Sequence, residues 1–247
     1  MMKLVKSLLL LATFCSITSA NLCSQIKDPV ATEVWEPEPR VVTPGNHNTA
    51  PSDAVVLFDG ISSEHWAHRD GSDIGWVISD GIMTVKPGTG AIFTKEKFGD
   101  CQLHLEWRSP LVIKGEGQGR GNSGVFLQNR YEVQILDSYN NRTYSNGQAG
   151  SVYKQSQPLV NAMSPTGEWN FYDIIYKAPR FNDDGVKVSS GSVTVLHNGV
   201  LIQNNYEIRG TTEYIGLPKN IAHGDDVIQL QDHSNPVSYR NIWIRKL

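Results

Sequence analysis

The sequence predicts an all-β fold, a jelly-roll-like sandwich of antiparallel sheets. Three observations carry that prediction. From Asp53 onward, short extended segments alternate with Gly, Asn and Asp turns. One of them, Cys101–Arg108, alternates apolar and polar side chains along its whole length. No segment offers three helical turns with caps, and no internal repeat has the spacing of propeller blades or solenoids.

The first 20 of the 247 residues read as an export leader. Lys3 and Lys6 precede an apolar run, Ser7 to Phe14, and Thr18-Ser19-Ala20 supplies a small-residue end. The expected location is therefore periplasmic, cell-surface or extracellular. Cys15 leaves with the leader, and Cys23 and Cys101 remain, enough for one disulfide in an oxidising compartment, with Cys101 otherwise expected as a buried thiol. Lipidation at Cys23 is the alternative, although Leu22 before it is bulkier than that signal favours. Residues 21–52 hold Pro29, Pro37, Pro39, Pro44 and Pro51, which disfavour helices and central strands. They are expected to form an N-terminal arm or linker, with Trp35 as its candidate docking residue.

Residues 53–247 make up the predicted sandwich domain. Its first strand is Val55–Phe58, and Trp76–Ile78 and Ile82–Val85 flank the Asp80-Gly81 turn of a hairpin. In Cys101–Arg108, Cys101, Leu103, Leu105 and Trp107 share one face, and Gln102, His104, Glu106 and Arg108 the other. The Gly-rich loop Lys114–Gly121 leads to Val125–Gln128 and Tyr131–Leu136. Asn170–Lys177, Val193–His197, Val200–Gln203, Val227–Gln231 and Tyr239–Arg245 follow, with a turn at His197-Asn198-Gly199. Trp107 and Trp243 are expected in the core, whereas Trp66 and Trp169, near turns, are candidates to stack on a sugar.

Charge narrows the function. Without the two leader lysines, the formal charge of −3 becomes −5, which is not the footprint of a nucleic-acid binder. Nine Tyr and six Trp separate the chain from disordered sequences. The Gly-rich loop opens no helix, so dinucleotide and phosphate-loop motifs are absent. His65, His68, Asp70 and Asp73 lack zinc-site spacing, and Asp183-Asp184-Gly185 lacks that of an EF hand. No cofactor is expected with confidence, and a divalent cation such as Ca²⁺ would have to be assembled from separate loops.

The polar strand faces hold the candidate site. Glu132 and Gln134 share one face of Tyr131–Leu136, and Glu106 and Arg108 lie on the polar face of the earlier strand. Gln231 and His233 have one parity, and Arg240 follows the Pro236 turn. If these faces meet in one groove, carboxylates and His can exchange protons while amides and Arg hold sugar oxygens. Lys154, in a polar loop, is a further candidate contact. The plainer alternative is that all of them are outward residues of half-exposed sheets.

Ordered motifs over roughly residues 53–247 extend this reading. They are Val56-Leu57-Phe58-Asp59-Gly60, Leu105-Glu106-Trp107-Arg108, Gly121-Asn122-Ser123-Gly124-Val125-Phe126-Leu127, Tyr131-Glu132-Val133-Gln134-Ile135-Leu136-Asp137, Gly167-Glu168-Trp169-Asn170 and Leu230-Gln231-Asp232-His233 with Arg240-Asn241. In this order the chain resembles the 3-keto-disaccharide hydrolase domain family, whose members adopt a concanavalin A-like jelly roll. Gly150-Ser151-Val152-Tyr153 departs from the shorter Gly-aliphatic-Tyr pattern of relatives.

The resemblance implies glycosidic cleavage in 3-keto-disaccharides or 3-keto-glucosides, by proton abstraction at C2, elimination and hydration. Glu132, His233 and Glu106 become the catalytic candidates, with Glu132 or His233 as base. Arg108, Gln134, Lys154, Gln231 and Arg240 become the substrate-binding candidates. An upstream glycoside 3-dehydrogenase is the implied metabolic partner, and no nucleic acid is. The rivals are hydrolysis by the carboxylate pair Glu106 and Glu132, and non-catalytic carbohydrate binding.

Overall fold

The alternation of Cys101–Arg108 is realised as a central strand with Leu103, Leu105 and Trp107 fully buried. In the computed structural model, which describes residues 28–45 and 49–247, fifteen strands lie in this order. They are β1 (Val55–Phe58), β2 (Trp66–Ala67), β3 (Val77–Ser79), β4 (Ile82–Thr84), β5 (Ile92–Thr94), β6 (Cys101–Arg108), β7 (Ser123–Leu127) and β8 (Tyr131–Ile135). After them come β9 (Asn170–Lys177), β10 (Arg180–Phe181), β11 (Lys187–Ser189), β12 (Ser192–His197), β13 (Val200–Glu207), β14 (Gln229–Leu230) and β15 (Ser238–Lys246).

Two antiparallel sheets enclose the core. The larger runs β13-β12-β9-β6-β15-β4-β3, and β1 shares with β4 the remaining edge of the long β15. The smaller runs β2-β5-β14-β7-β8. Leu105, Tyr172 and Ile244 of the first meet Val125, Val133 and Ile135 of the second in one buried cluster. This is the predicted jelly-roll sandwich, and the polar face of each sheet looks away from that cluster. The hairpin turns hold as expected, with positive φ at Asp80, Gly81, Asn198 and Gly199.

The register of β15 corrects one expectation. Counting by twos from the core residue Tyr239 puts Trp243 in the core. Asn241 has φ 46°, and the pairing with β6 shifts between Arg240 and Trp243. This bulge reverses the parity. Ile242 and Ile244 turn inward, and Trp243, though buried as expected, lies on the outer face of the sheet and not in the central cluster, stacked on His104 with ring centroids 5.0 Å apart. Trp66 is corrected in the other direction. It is buried in the core, with its indole N–H donating to the Leu57 carbonyl at 2.8 Å, and is out of reach of a sugar.

Sequence reasoning overlooked four short strands, β2, β5, β10 and β11, which are too brief to show a period. The expected strand Val227–Gln231 shrinks to Gln229–Leu230. Of the described residues, 28–41 belong to a unit of their own, in which a 3₁₀ turn spans Pro29–Thr32 and the Trp35 indole N–H bonds Glu33. The leader, Cys15 and Cys23 lie outside the described residues. Cys101 is a free, buried thiol whose pKa burial pushes up to about 12.

Candidate active site

The site is built on the outer face of the smaller sheet. β8 is its edge strand, so two neighbouring segments satisfy the backbone of Glu132. Its N–H donates to the Thr212 hydroxyl at 3.0 Å, and its carbonyl accepts from the Tyr153 N–H at 3.1 Å. Gln134 is held alike, its N–H on the Ser151 carbonyl and its carbonyl on the Gly150 N–H. With Val133 and Ile135 in the core, period two aims Glu132 and Gln134 outward.

Gly124 on β7 makes room for the carboxyl. A Cβ there would lie 2.3 Å from Glu132 Oε1. The Glu132 side chain thus lies over a glycine, close to the backbone of the neighbouring strand. The residue is only 4% exposed, and no protein donor among the described residues reaches its carboxyl. Burial alone pushes its pKa from the ordinary carboxylate value to about 8.

Around it opens a pocket of about 270 Å³, lined by Asn122, Phe126, Glu132, Gln134, Tyr153, Thr212, Tyr214, Gln231 and His233. Gln134 Nε2 donates to Gln118 Oε1 at 3.1 Å and approaches Asn122 Oδ1 at 3.4 Å. Gln231 Oε1 is buried with no protein donor, so a hydroxyl inside the pocket would satisfy it. His233 stands exposed on the rim. Its loop is fixed by Asp232, whose carboxylate accepts the N–H groups of Gly88, Gly90 and Ser234.

Lys154 does not line the pocket but supports it. Its ammonium donates to the Tyr214 carbonyl and lies 4.4 Å from that ring's centroid. Tyr153 and Tyr144 share a hydroxyl–hydroxyl bond of 2.6 Å, and burial raises the pKa of both. The wall beside Glu132 is therefore made of neutral phenols.

Of the eight residues expected at the site, Glu132, Gln134, Gln231 and His233 are brought together, and Lys154 stands behind Tyr214. Glu106, Arg108 and Arg240 are not. They lie on the outer face of the larger sheet, with the hydrophobic core between them and Glu132. There the Glu106 carboxylate accepts from Arg240 Nε and from Asn241 Nδ2 at 2.9 Å, and both guanidiniums cover Trp169. The expected common groove for both polar faces does not exist, because each sheet turns its polar side away from the other. Trp169 stands on that second surface, apart from the pocket.

Asn122, Phe126, Tyr153, Thr212 and Tyr214 were missed. Asn122 and Phe126 sit within a quoted motif, and Tyr153 in the segment noted as a departure. Thr212 and Tyr214 come from an irregular loop that carries no pattern. Among the described residues no group of three His, Cys, Asp or Glu side chains converges as a metal site. His68 is structural, its Nδ1 on the Ala91 carbonyl and its Nε2 accepting the Gly75 N–H.

Comparison with known proteins places the chain in a family and a fold. No curated protein matches the chain. A crystal structure of a provisionally assigned glycosyl hydrolase from Parabacteroides distasonis shares 54% identity at TM-score 0.86, over 89% of this chain and 97% of that one. A second protein of that organism, provisionally assigned likewise, is 21% identical at TM-score 0.57 over 79% and 94%, a likeness of fold. Residues 53–245 match the family model described as the 3-keto-alpha-glucoside-1,2-lyase-like domain. The chain belongs to that family, a family of glycoside-acting proteins.

Proposed function

We propose that the protein cleaves 3-keto-glucosides by elimination across C1–C2 followed by hydration, with Glu132 donating a proton to the leaving oxygen. The observation that carries this reading is the buried, unpaired Glu132 carboxyl in a pocket it shares with His233.

A ketone at C3 makes the C2 proton removable, because the resulting charge delocalises onto the C3 oxygen. His233 takes that proton as base. The C1–O bond then breaks with Glu132 protonating the departing oxygen, which leaves an enone. Water adds at C1, giving its proton to the Glu132 carboxylate, and C2 regains a proton from His233. Both residues return to their starting states. Of the two expected bases, Glu132 and His233, this reading keeps His233 and makes Glu132 the acid. A carboxyl that keeps its proton to about pH 8 is an acid at neutral pH. Gln231, Gln134 and Asn122 supply amide contacts for sugar oxygens, and Phe126 and Tyr214 are the rings available for stacking.

Carboxylate-pair hydrolysis has less support, since Glu132 is the one carboxylate among the lining residues and Glu106 faces the opposite side. An upstream oxidation at C3, of the glycoside 3-dehydrogenase class, has to supply the substrate. The leader-like Met1–Ala20 supports placing the reaction outside the cytoplasm. Turnover of a 3-keto-glucoside carrying deuterium at C2 in ordinary water tests the route. Elimination passes the deuteron to the exposed His233, which exchanges it with water before C2 is reprotonated, so the sugar product loses label as cleavage proceeds, whereas direct hydrolysis retains it.

A further inference from the structure

A second cavity, of about 590 Å³, adjoins the polar pocket and differs from it in chemistry. The two share a wall. Gly121 lines the larger cavity and Asn122 the smaller, while Ser234 and Asn235 line the larger and His233 the smaller. The Gly121 N–H donates to Asn235 Oδ1 at 2.9 Å, so the two wall segments are bonded to each other. Gly121, at φ 56°, has a Cβ position only 3.0 Å from the side chains of Ser109 and Asp137, which explains a glycine at this close passage.

Proline and aliphatic side chains dominate the lining: Pro87, Pro110, Leu111, Val112, Ile113 and Pro236. Leu111, Val112 and Ile113 are 74%, 68% and 56% exposed, three consecutive apolar residues turned to solvent beside a site for a polar ligand. Three of the five polar side chains that line the cavity, Arg120, Asp137 and Asn235, are engaged within the protein, and Lys114 and Ser234 are the exceptions. Arg120 bonds Asp137, the Tyr139 carbonyl and Thr166, and Asn235 bonds Gly121 and the His233 carbonyl. No aromatic ring lines it, whereas the polar pocket has Phe126, Tyr153 and Tyr214.

Size divides the labour between the two. About 270 Å³ falls just under the usual range of ligand pockets, roughly 300–1,000 Å³, and suits one sugar ring rather than a whole glycoside. The remainder of the substrate needs the adjoining space. A second sugar there would meet no stacking ring, and only Lys114 and Ser234 would offer it side chains not already bonded within the protein.

We propose that this cavity is the aglycone subsite and that it selects glucosides of apolar alcohols, aryl or alicyclic, over disaccharides. The inference rests on the reading of the polar pocket as the site of the sugar. In this arrangement the Pro110–Ile113 loop covers the leaving group, and the bond to be broken lies near the Gly121–Asn122 and His233–Asn235 wall.

Two non-cleavable probes test it by calorimetry, phenyl 1-thio-β-glucoside and methyl 1-thio-β-glucoside. The phenyl compound is expected to bind at least about tenfold more tightly, the gain from burying roughly 55 Å² of apolar surface. In L111S/V112S/I113S the ratio is expected to fall toward one. V112S alone, at a solvent-exposed position, is expected to lower it partway and serves as the variant least exposed to folding defects. Equal affinity for both probes, or a preference that survives the triple substitution, would overturn the proposal. Turnover of 3-keto-glucosides is scored separately. A phenyl preference without turnover leaves the subsite standing and removes the reaction, and turnover without the preference does the reverse.

Discussion

Glu132 on β8 and His233 in the loop after β14 face one pocket, the first buried over Gly124 and the second exposed on the rim. The contrast in solvation gives the pair its proposed division of labour. A carboxyl buried this far holds a proton to donate, its pKa raised to about 8 by burial, and the exposed ring beside the pocket is placed to act as the base.

Replacing Glu132 by Gln preserves shape and removes the transferable proton. Turnover is expected to drop by about 10²–10⁴-fold, the usual worth of a positioned acid or base. Steady-state kinetics on a 3-keto-glucoside reads it, with circular dichroism confirming an intact sheet. His233→Gln should show a comparable fall in kcat with little change in melting temperature, because the side chain is exposed.

Stability should respond to pH at two buried groups in opposite senses. Glu132 titrates near 4.5 in the unfolded chain and near 8 when folded, so the folded state holds the extra proton between those values. Its contribution is therefore lost as pH rises from about 5 to 8. Burial lowers the pKa of His197 to about 3, so the unfolded chain binds the extra proton below about 6.5, and stability falls as pH drops. The two windows overlap from about pH 4.5 to 6.5, where the opposite slopes offset each other, so melting temperature is expected to be level there and to fall on either side. Glu132→Gln should flatten the alkaline limb and His197→Asn the acidic one.

Gly124→Ala tests the placement of the acid without touching it. The new methyl group would collide with Glu132 Oε1, at 2.3 Å in the unrelaxed geometry. The carboxyl must move, and kcat should fall by about tenfold or more, since misplacements of about an ångström cost rate on this scale. An unchanged kcat would show that the carboxyl position is not critical.

The polar cluster on the larger sheet should be catalytically silent. Arg240→Ala removes a partly exposed ion pair with Glu106 and a contact on Trp169. A stability loss of about 1 kcal/mol is expected in denaturant titration, with kcat/KM within about twofold of wild type. A large loss of turnover would restore the idea of a shared groove.

The fold was legible because alternation is a strong signal in long strands. Cys101–Arg108 and Asn170–Lys177 coincide with β6 and β9 at both ends. Parity also placed Glu132 with Gln134 on β8, whereas Gln231 and His233 meet in the pocket from a loop beyond the end of β14. Two things were not legible. Alternation says which residues share a face but not which face of which sheet meets another, and so Glu106, Arg108 and Arg240 were drawn toward a pocket they do not reach. A one-residue bulge at Asn241 inverts parity within a strand and moved Trp243 outward. Tyr214 and Thr212 arrive from a loop whose path is set by single contacts such as the Lys154–Tyr214 bond, and no periodicity encodes those.

The central claim is tested most directly by measuring kcat/KM of the purified protein on matched 3-keto and native glucosides, with and without Glu132→Gln. The account predicts turnover of the 3-keto compound, negligible turnover of the native one, and loss of the former in the variant. Equal cleavage of both glucosides, or full activity without the carboxyl, would contradict it.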